Sequence, residues 1–261
     1  MPVNASAGTL FVQQNQPPGV PPLELTGERT LPDVPAENYW YRRHLAVYEW
    51  IAARVAGLRV VDMACGEGYG AATLARTAAA VVGVEANPDA YEHARLRYAG
   101  PGLRFRRGLV ERYGEPGCCD AVTFLQTIEH VAEPHAVLAH LRGMLAPGGA
   151  VYLSTPNLLT IAPAGAERSD NPWHVREYRA HEFRELCESV FDSVELFGLY
   201  HARKLRAHAL ALALGWDQIH RSLRLTGPFY GCFTPRIDAA DFVLSDRRPL
   251  YRALDFLAVC R

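Results

Sequence analysis

The sequence carries almost no net charge: 27 lysines and arginines face 28 aspartates and glutamates, and the isoelectric point lies near 6.8. A chain so balanced makes no overall field that would hold it on a polyanion, so nucleic acid is not expected as a partner. Its six cysteines form neither a CxxC pair nor a Cys/His zinc spacing, and the N-terminus lacks the basic-then-apolar layout of a secretory signal. These absences point to reduced thiols and a cytoplasmic location. No uncharged apolar run approaches the ~20 residues of a membrane-spanning helix. No transmembrane segment is therefore expected, although peripheral membrane contact stays open. No internal repeat is present either. What the chain does have is bulk: 261 residues at 49% hydrophobic composition, enough for one α/β domain of roughly 200 to 250 residues.

Residues 1–24 are rich in Pro, Gln and Gly (QQNQPPGVPP), have no apolar period, and read as a flexible or surface-draped tail; residues 25–261 read as the domain. Leu45, Tyr48, Ile51, Ala52 and Val55 recur at three- and four-residue spacing, which predicts a helix closed by Gly57. β-rich runs at 58–63, 80–85, 103–108, 120–125 and 150–155 then alternate with helical patterns. Pro147, Gly148 and Gly149 turn the chain into the last of these. FDSVELFGLY (191–200) and LDFLAVC (254–260) supply two more strands. Between them lies an insertion at about 201–250, with a helical first half (ARKLRAHALALALGW) and an irregular second half. It suits a cap over the site or a homodimer contact. The predicted fold is α/β: a doubly wound, Rossmann-like, mostly parallel seven-stranded sheet, with a helical cap insertion before the last strand.

The run VVDMACGEGYGAATLA passes from strand to helix with Gly66, Gly68 and Gly70 at the junction. Glycine lets a ligand press against bare backbone, and the helix N-terminus offers unpaired N–H donors. Glu85 ends the next strand, 19 positions after Gly66, where its carboxylate can accept both ribose hydroxyls of a nucleoside cofactor. A nicotinamide dinucleotide satisfies the same glycines, since Gly66, Gly68 and Ala71 match a loose G-x-G-x-x-G/A. Asp62 argues for adenosylmethionine instead: a carboxylate just ahead of the loop attracts a cationic sulfonium and repels a pyrophosphate. It can also serve simply to fasten the loop. A dinucleotide enzyme would further need a substrate domain for which little chain remains.

The segments GERTLP, DMACGEGYG, VVGVE, QTIEHV, LAPGGAVYLSTPN and NPWHVREY, in this order over most of residues 27–200, resemble the class I S-adenosylmethionine-dependent methyltransferases, and within them the branch associated with glycan and cell-envelope biosynthesis. The resemblance implies that Asp62, Ala64 and Gly66 surround the methionine part of the cofactor, with Gly68 in the same loop. Glu85 would hold the ribose, and Ala86, Leu109 and Val110 would border the adenine. Ala64 departs from the family's usual first glycine. Leu109 stands where an adenine-contacting Asp is frequent, leaving backbone and apolar contacts there. In ENYWYRRH (37–44), Arg42, Arg43 and His44 cannot all face one way on a helix, and Arg43 is the candidate for the cofactor's carboxylate.

In such sheets ligands lie beyond the carboxyl ends of the strands, so Gln126, Glu129, His130 and Asn157 should face the transferring methyl group. Gln126 is counted with the cofactor contacts. Methyl transfer from a sulfonium is an in-line displacement that needs alignment and removal of the acceptor's proton. His130, with an ordinary pKa near 6.5, suits the base, and Glu129 suits orienting it or binding substrate. The plainer reading is a helix-start pair held by local hydrogen bonds. The segment Gln126 to His130 is similar to a Glu-x-x-Glu-His segment that binds a divalent ion in some methyltransferases. Gln126 removes one carboxylate, which weakens a hard magnesium site; Glu129, His130 and His174 remain as candidate ligands for magnesium or another divalent cation. NPWHVREY suits a flap over the site, with Trp173 either stacked on a sugar or anchoring the loop. The expected activity is O-methylation of a sugar, oligosaccharide or glycoconjugate precursor. The alternatives are methylation of a phenolic or other small metabolite, and a non-catalytic cofactor-binding interaction protein.

Overall fold

A computed structural model describes residues 10–13, 16–26, 29–163 and 165–261. Residues 1–9 of the expected tail, and Gly27 and Glu28 of GERTLP, lie outside them. The described N-terminal segment begins with a small antiparallel pair, β1 (Leu10–Phe11) and β2 (Leu23–Glu24). Leu23, Leu25, Leu31 and Val34 form a satellite cluster against Ala90. Helix α1 (Asn38–Ala52) follows; it stops five residues before Gly57, and Val55 stays fully buried beyond it.

The main sheet is built from β3 (Arg59–Met63), β4 (Ala80–Glu85), β5 (Leu103–Arg107), β6 (Cys119–Leu125), β7 (Leu145–Pro156), β8 (Val194–His201), β9 (Phe242–Ser245) and β10 (Asp255–Cys260), in spatial order β5-β4-β3-β6-β7-β10-β8-β9. β3 to β7 pair in parallel, and β10 lies antiparallel between β7 and β8. The sheet thus has eight strands, not seven. The extra one, β9, comes from the insertion and covers the outer edge of β8 antiparallel, from Gly198 opposite Ser245 to His201 opposite Phe242; this leaves only a four-residue strand at that border. Pro147 and Gly148 do not precede β7 but lie within it, where the pairing with β6 slips between Cys119 and Ala121.

Connecting helices are α2 (Tyr69–Leu74), α3 (Pro88–Tyr98), α4 (Pro134–Gly143), α5 (Leu158–Ile161) and α6 (Ala180–Glu188). Strand residues alternate between the two faces, as the two-residue period requires. Val60 joins the core that contains Ile51 of α1, Leu74 of α2 and Ala94 of α3, whereas Val61 joins the core with Leu138 of α4 and Phe183 of α6. Helices therefore cover both faces. The insertion contains α7 (Arg203–Ala213) and α8 (Trp216–Ser222), and its second half is also helical, as α9 (Thr226–Phe233). All six cysteines are free thiols. No helix of the described residues is long and apolar enough to cross a membrane.

Candidate active site

The parallel strands end on one side of the sheet, and the segments leaving β3, β4, β6 and β7 there enclose two adjoining cavities of about 460 and 500 Å³. Thr26, Thr30, His44, Gln126, His130 and Trp173 border both.

The first cavity lies on the glycine loop. Ala64, Gly66, Glu85 and Gln126 line it, and Ala64 and Gln126 hold left-handed backbone (φ 54° and 50°). Glu85 reaches back to the loop: its carboxylate accepts from the Gly66 N–H at 2.9 Å and the Asn87 N–H at 2.8 Å. A carboxylate offers about four acceptor positions, so ligand hydroxyls can share this one. Gly68 stands behind the loop at φ 101°, where a Cβ would come within 2.8 Å of the Ala94 Cβ; glycine there lets α2 close on α3.

Several expected cofactor residues do not line this cavity. Asp62 is fully buried beneath it, accepting from Thr123 Oγ1 at 2.5 Å and Tyr48 Oη at 3.2 Å. It thereby ties β3 to β6 and α1, and fastens no loop N–H. Burial is the main force on its acid, pushing the pKa up to about 7 against the pull of the Thr123 and Tyr48 hydrogen bonds. Ala86, Leu109 and Val110 are likewise off the wall; Leu109 is solvent-exposed and Val110 packs on the α4–α6 core. Arg43 points into the protein. Its Nε donates to Asp255 Oδ2 at 2.7 Å and its Nη2 to the Leu254 carbonyl at 2.8 Å, a buried fork matched to β10. It borders only the second cavity. The arginine of the first cavity is Arg29, the one lysine or arginine among its described lining residues.

Tyr48, Glu67 and Tyr69 line the first cavity as well, none of them singled out in the sequence as a ligand contact, and so does His44, over which the sequence favours Arg43. His44 and Tyr48 lie four apart on α1 and face the cavity together; burial holds the His44 imidazole neutral, its pKa down to about 4. Tyr69 bonds Thr30 at 2.9 Å. Glu67, inside the glycine loop, is fully buried and accepts from Gln13 Nε2 (2.9 Å), Tyr98 Oη (2.9 Å), the Tyr69 N–H (3.1 Å) and His93 Nε2 (3.2 Å). It binds the N-terminal segment to the loop. The helical spacing of His44 and Tyr48 is the only one of these signals that a sequence offers.

The second cavity carries the acceptor candidates. A 3-10 turn at Ile128–His130 follows β6, pinned by the fully buried Ile128, whose burial is worth roughly 1.5–3 kcal/mol. The turn is tied to NPWHVREY by backbone: the Val175 and Arg176 N–H groups donate to the Glu129 carbonyl at 2.8 and 3.1 Å. His130 Nδ1 donates to the Trp173 carbonyl at 3.0 Å; a neutral ring fixed that way presents Nε2 as an acceptor. Glu129 is buried and accepts from Thr155 Oγ1 at 3.1 Å. His174 donates through Nδ1 to Glu177 at 2.6 Å, with Asn171 Nδ2 3.0 Å from its Nε2. One ligand atom each from Glu129, His130 and His174 converge within 4.8 Å. Asn157 is turned away: it caps α5 through the Leu159 N–H (3.1 Å) and donates to the Ala253 carbonyl at 2.7 Å.

A family model described as a methyltransferase domain matches residues 61–153. The chain is 39% identical over 185 residues to a protein of Mycolicibacterium smegmatis named as a probable S-adenosylmethionine-dependent methyltransferase, covering 70% of this chain and 71% of that one. It is also 36% identical over 129 residues to a ubiquinone biosynthesis O-methyltransferase of Xanthomonas campestris pv. campestris, covering 46% of this chain and 54% of that one. A solved S-adenosylmethionine-dependent methyltransferase of Thermotoga maritima shares the fold, with TM-score 0.58 at 14% identity over 86% of this chain and 93% of that one. The strand-end cavity on a glycine loop and the extent of the likeness to the mycobacterial protein lead to one conclusion: the chain belongs to the S-adenosylmethionine-dependent methyltransferases.

Proposed function

We propose that this methyltransferase is an O-methyltransferase acting on a hydroxyl of a sugar, oligosaccharide or glycoconjugate precursor. One observation carries the reading: two cavities meet at His130 and Gln126, one on the cofactor loop and the other lined by hydroxyl-binding groups. The first would hold the cofactor, with Glu85 to accept from its ribose hydroxyls and Arg29 to pair with its aminoacyl carboxylate; bound there it would supply an electrophilic methyl group. The second cavity combines Glu37, Glu129, Asp170 and Asn171 with the indoles of Trp40 and Trp173. Carboxylates and amides suit dense hydroxyls, and an indole face suits the apolar face of a pyranose.

In the proposed step an acceptor oxygen attacks the methyl carbon in line, the C–S bond breaks with its electron pair going to sulfur, and the hydroxyl proton passes to His130 Nε2. The Trp173 carbonyl holds the ring in the required tautomer. Glu129 lies alongside and steadies the imidazolium that forms.

Two alternatives attach to specific observations. The likeness to a ubiquinone biosynthesis O-methyltransferase supports a phenolic acceptor, for which the same base suffices. The convergence of Glu129, His130 and His174 supports a divalent ion, which would polarise the acceptor hydroxyl. Two imidazoles and one carboxylate favour manganese, iron or zinc over magnesium, and the Asn171 amide must leave His174 Nε2 for that set to close.

The test is turnover with sugar and catechol acceptors, with and without exhaustive chelation. His130→Ala should lower kcat by about 100- to 10,000-fold while cofactor affinity stays within about threefold. Unchanged turnover would remove His130 as the base. Full activity after chelation would remove the metal, and methylation of catechols alone would replace the sugar.

A further inference from the structure

Between β8 and β9 the chain leaves the sheet as α7, α8 and α9, and the surface it exposes there suits a partner that the reaction itself does not require. Arg206 and Leu210 on α7 and Leu214 at its C-cap follow one another at four-residue spacing and so form one ridge. Leu210 and Leu214 are 62% and 78% exposed. Ile219 on α8 and Leu223 at its C-cap repeat the spacing, at 48% and 60%. Behind these ridges the helices are held by rings: Phe229 stacks on Phe233 at 5.3 Å and on His220 at 6.2 Å, and Leu205 is buried toward the sheet. The exposed leucines are therefore not the unit's own core.

The same stretch is basic. Residues 203–224 contain five lysines and arginines and one acid, Asp217, which gives +5 − 1 = +4 in a chain whose total is −1. Lys204 pairs with Asp241 at 3.0 Å and Arg221 with Asp217 at 3.6 Å. Among the described residues no acid pairs with Arg203, Arg206 or Arg224.

We propose that this helical unit docks on an anionic lipid bilayer, with the leucine ridges in the headgroup boundary and the arginines on lipid phosphates. A polyanion without an apolar phase would leave the leucines in water. A two-fold dimer through this face would place like charge on like charge, because such an interface pairs a patch with itself. A bilayer with acidic headgroups satisfies both features at once.

The placement gives docking a consequence. Asn38 at the start of α1 donates to the Thr234 and Ile237 carbonyls at 2.8 and 2.9 Å, which fixes the unit to the helix whose Trp40 borders the second cavity. The unit that docks is thus tied to the helix that lines the second cavity. The inference rests on the insertion alone and stands whichever acceptor is methylated.

The test floats the full chain with vesicles of phosphatidylcholine alone and of seven parts phosphatidylcholine to three parts phosphatidylglycerol. The protein should float with the anionic vesicles at least about tenfold more than with the neutral ones, and about 0.5 M salt should weaken that binding. Leu210→Ser with Leu214→Ser should reduce flotation at least about tenfold, while melting temperature and S-adenosylhomocysteine binding stay as in the parent. Arg206→Ser with Arg224→Ser should abolish the preference for anionic lipid. No flotation, or flotation indifferent to the leucine pair, overturns the proposal. A concentration-dependent dimer that Leu214→Ser dissolves, without lipid binding, would assign the face to a second copy.

Discussion

Arg43 and Asp62 show how far a residue's chemistry depends on what packs around it. Both are ionisable side chains near the strand-end cavities, and both bond to the scaffold. Arg43 neutralises Asp255 at 2% exposure, so Arg43→Ala leaves a buried carboxylate unpaired and should cost about 3–5 kcal/mol of stability. Chemical denaturation checks this; unchanged stability with weakened cofactor binding would return Arg43 to the ligand. Asp62 has a pKa raised by burial to about 7, against 3.8 for the free group. Between these values the folded protein binds more protons than the unfolded chain, so this group's contribution to stability declines as pH rises from about 4 to 7 and then levels off. Asp62→Asn removes that decline. The stability of the Asn variant relative to the parent should rise across this window by at most about 4 kcal/mol, taking about 1.4 kcal/mol per pH unit. A difference independent of pH would contradict it. Neither role was legible in the sequence. Periodicity says that Arg42, Arg43 and His44 diverge, but the choice among them is made by Asp255, 212 positions away.

At the level of elements the sequence was most informative where period and punctuation agree. The parallel strands appear within about two residues of their runs at most ends, because two-sided burial writes an almost continuous apolar signal. β7 exceeded its run because a bulge accommodates Pro147 and Gly148 within pairing, and β9 was missed because a four-residue edge strand has too little pattern to stand out. The segment NPWHVREY was expected as a flap, but the carboxylate that ties it down was not legible. Glu177 accepts from the Ser169 N–H at 2.7 Å and from His174 at 2.6 Å. Burial pushes its carboxyl up, and the hydrogen bonds from Ser169 and His174 more than reverse this, leaving the pKa below the usual carboxylate value. Glu177→Ala should release the loop, seen as at least about tenfold faster amide exchange across residues 169–176 at a cost of about 1–3 kcal/mol. Exchange as slow as in the parent would mean that the Glu129 carbonyl bonds alone hold the flap.

Across the whole molecule, a parallel sheet gathers loops distant in sequence at one end, and this is what turns scattered residues into a site. Glu85, Gly66 and Gln126 meet there because β3, β4 and β6 are neighbours. Thr26, Arg29 and Thr30 meet them because Glu67 anchors the N-terminal segment to the same loop. A composition rich in Pro and Gln announced none of this: such a segment looks unstructured until a buried carboxylate supplies its partner. In the proposed function this cavity holds adenosylmethionine on Glu85 with the transferring methyl toward His130. Calorimetric titration of S-adenosylhomocysteine, with NAD in parallel, into the parent, Glu85→Gln and His130→Ala tests this. One site per chain is expected for S-adenosylhomocysteine and none for NAD. Affinity should fall at least about tenfold in Glu85→Gln, equivalent to about 1.4 kcal/mol, and change little in His130→Ala. Equal affinity in parent and Glu85→Gln, or binding of NAD instead, would contradict it.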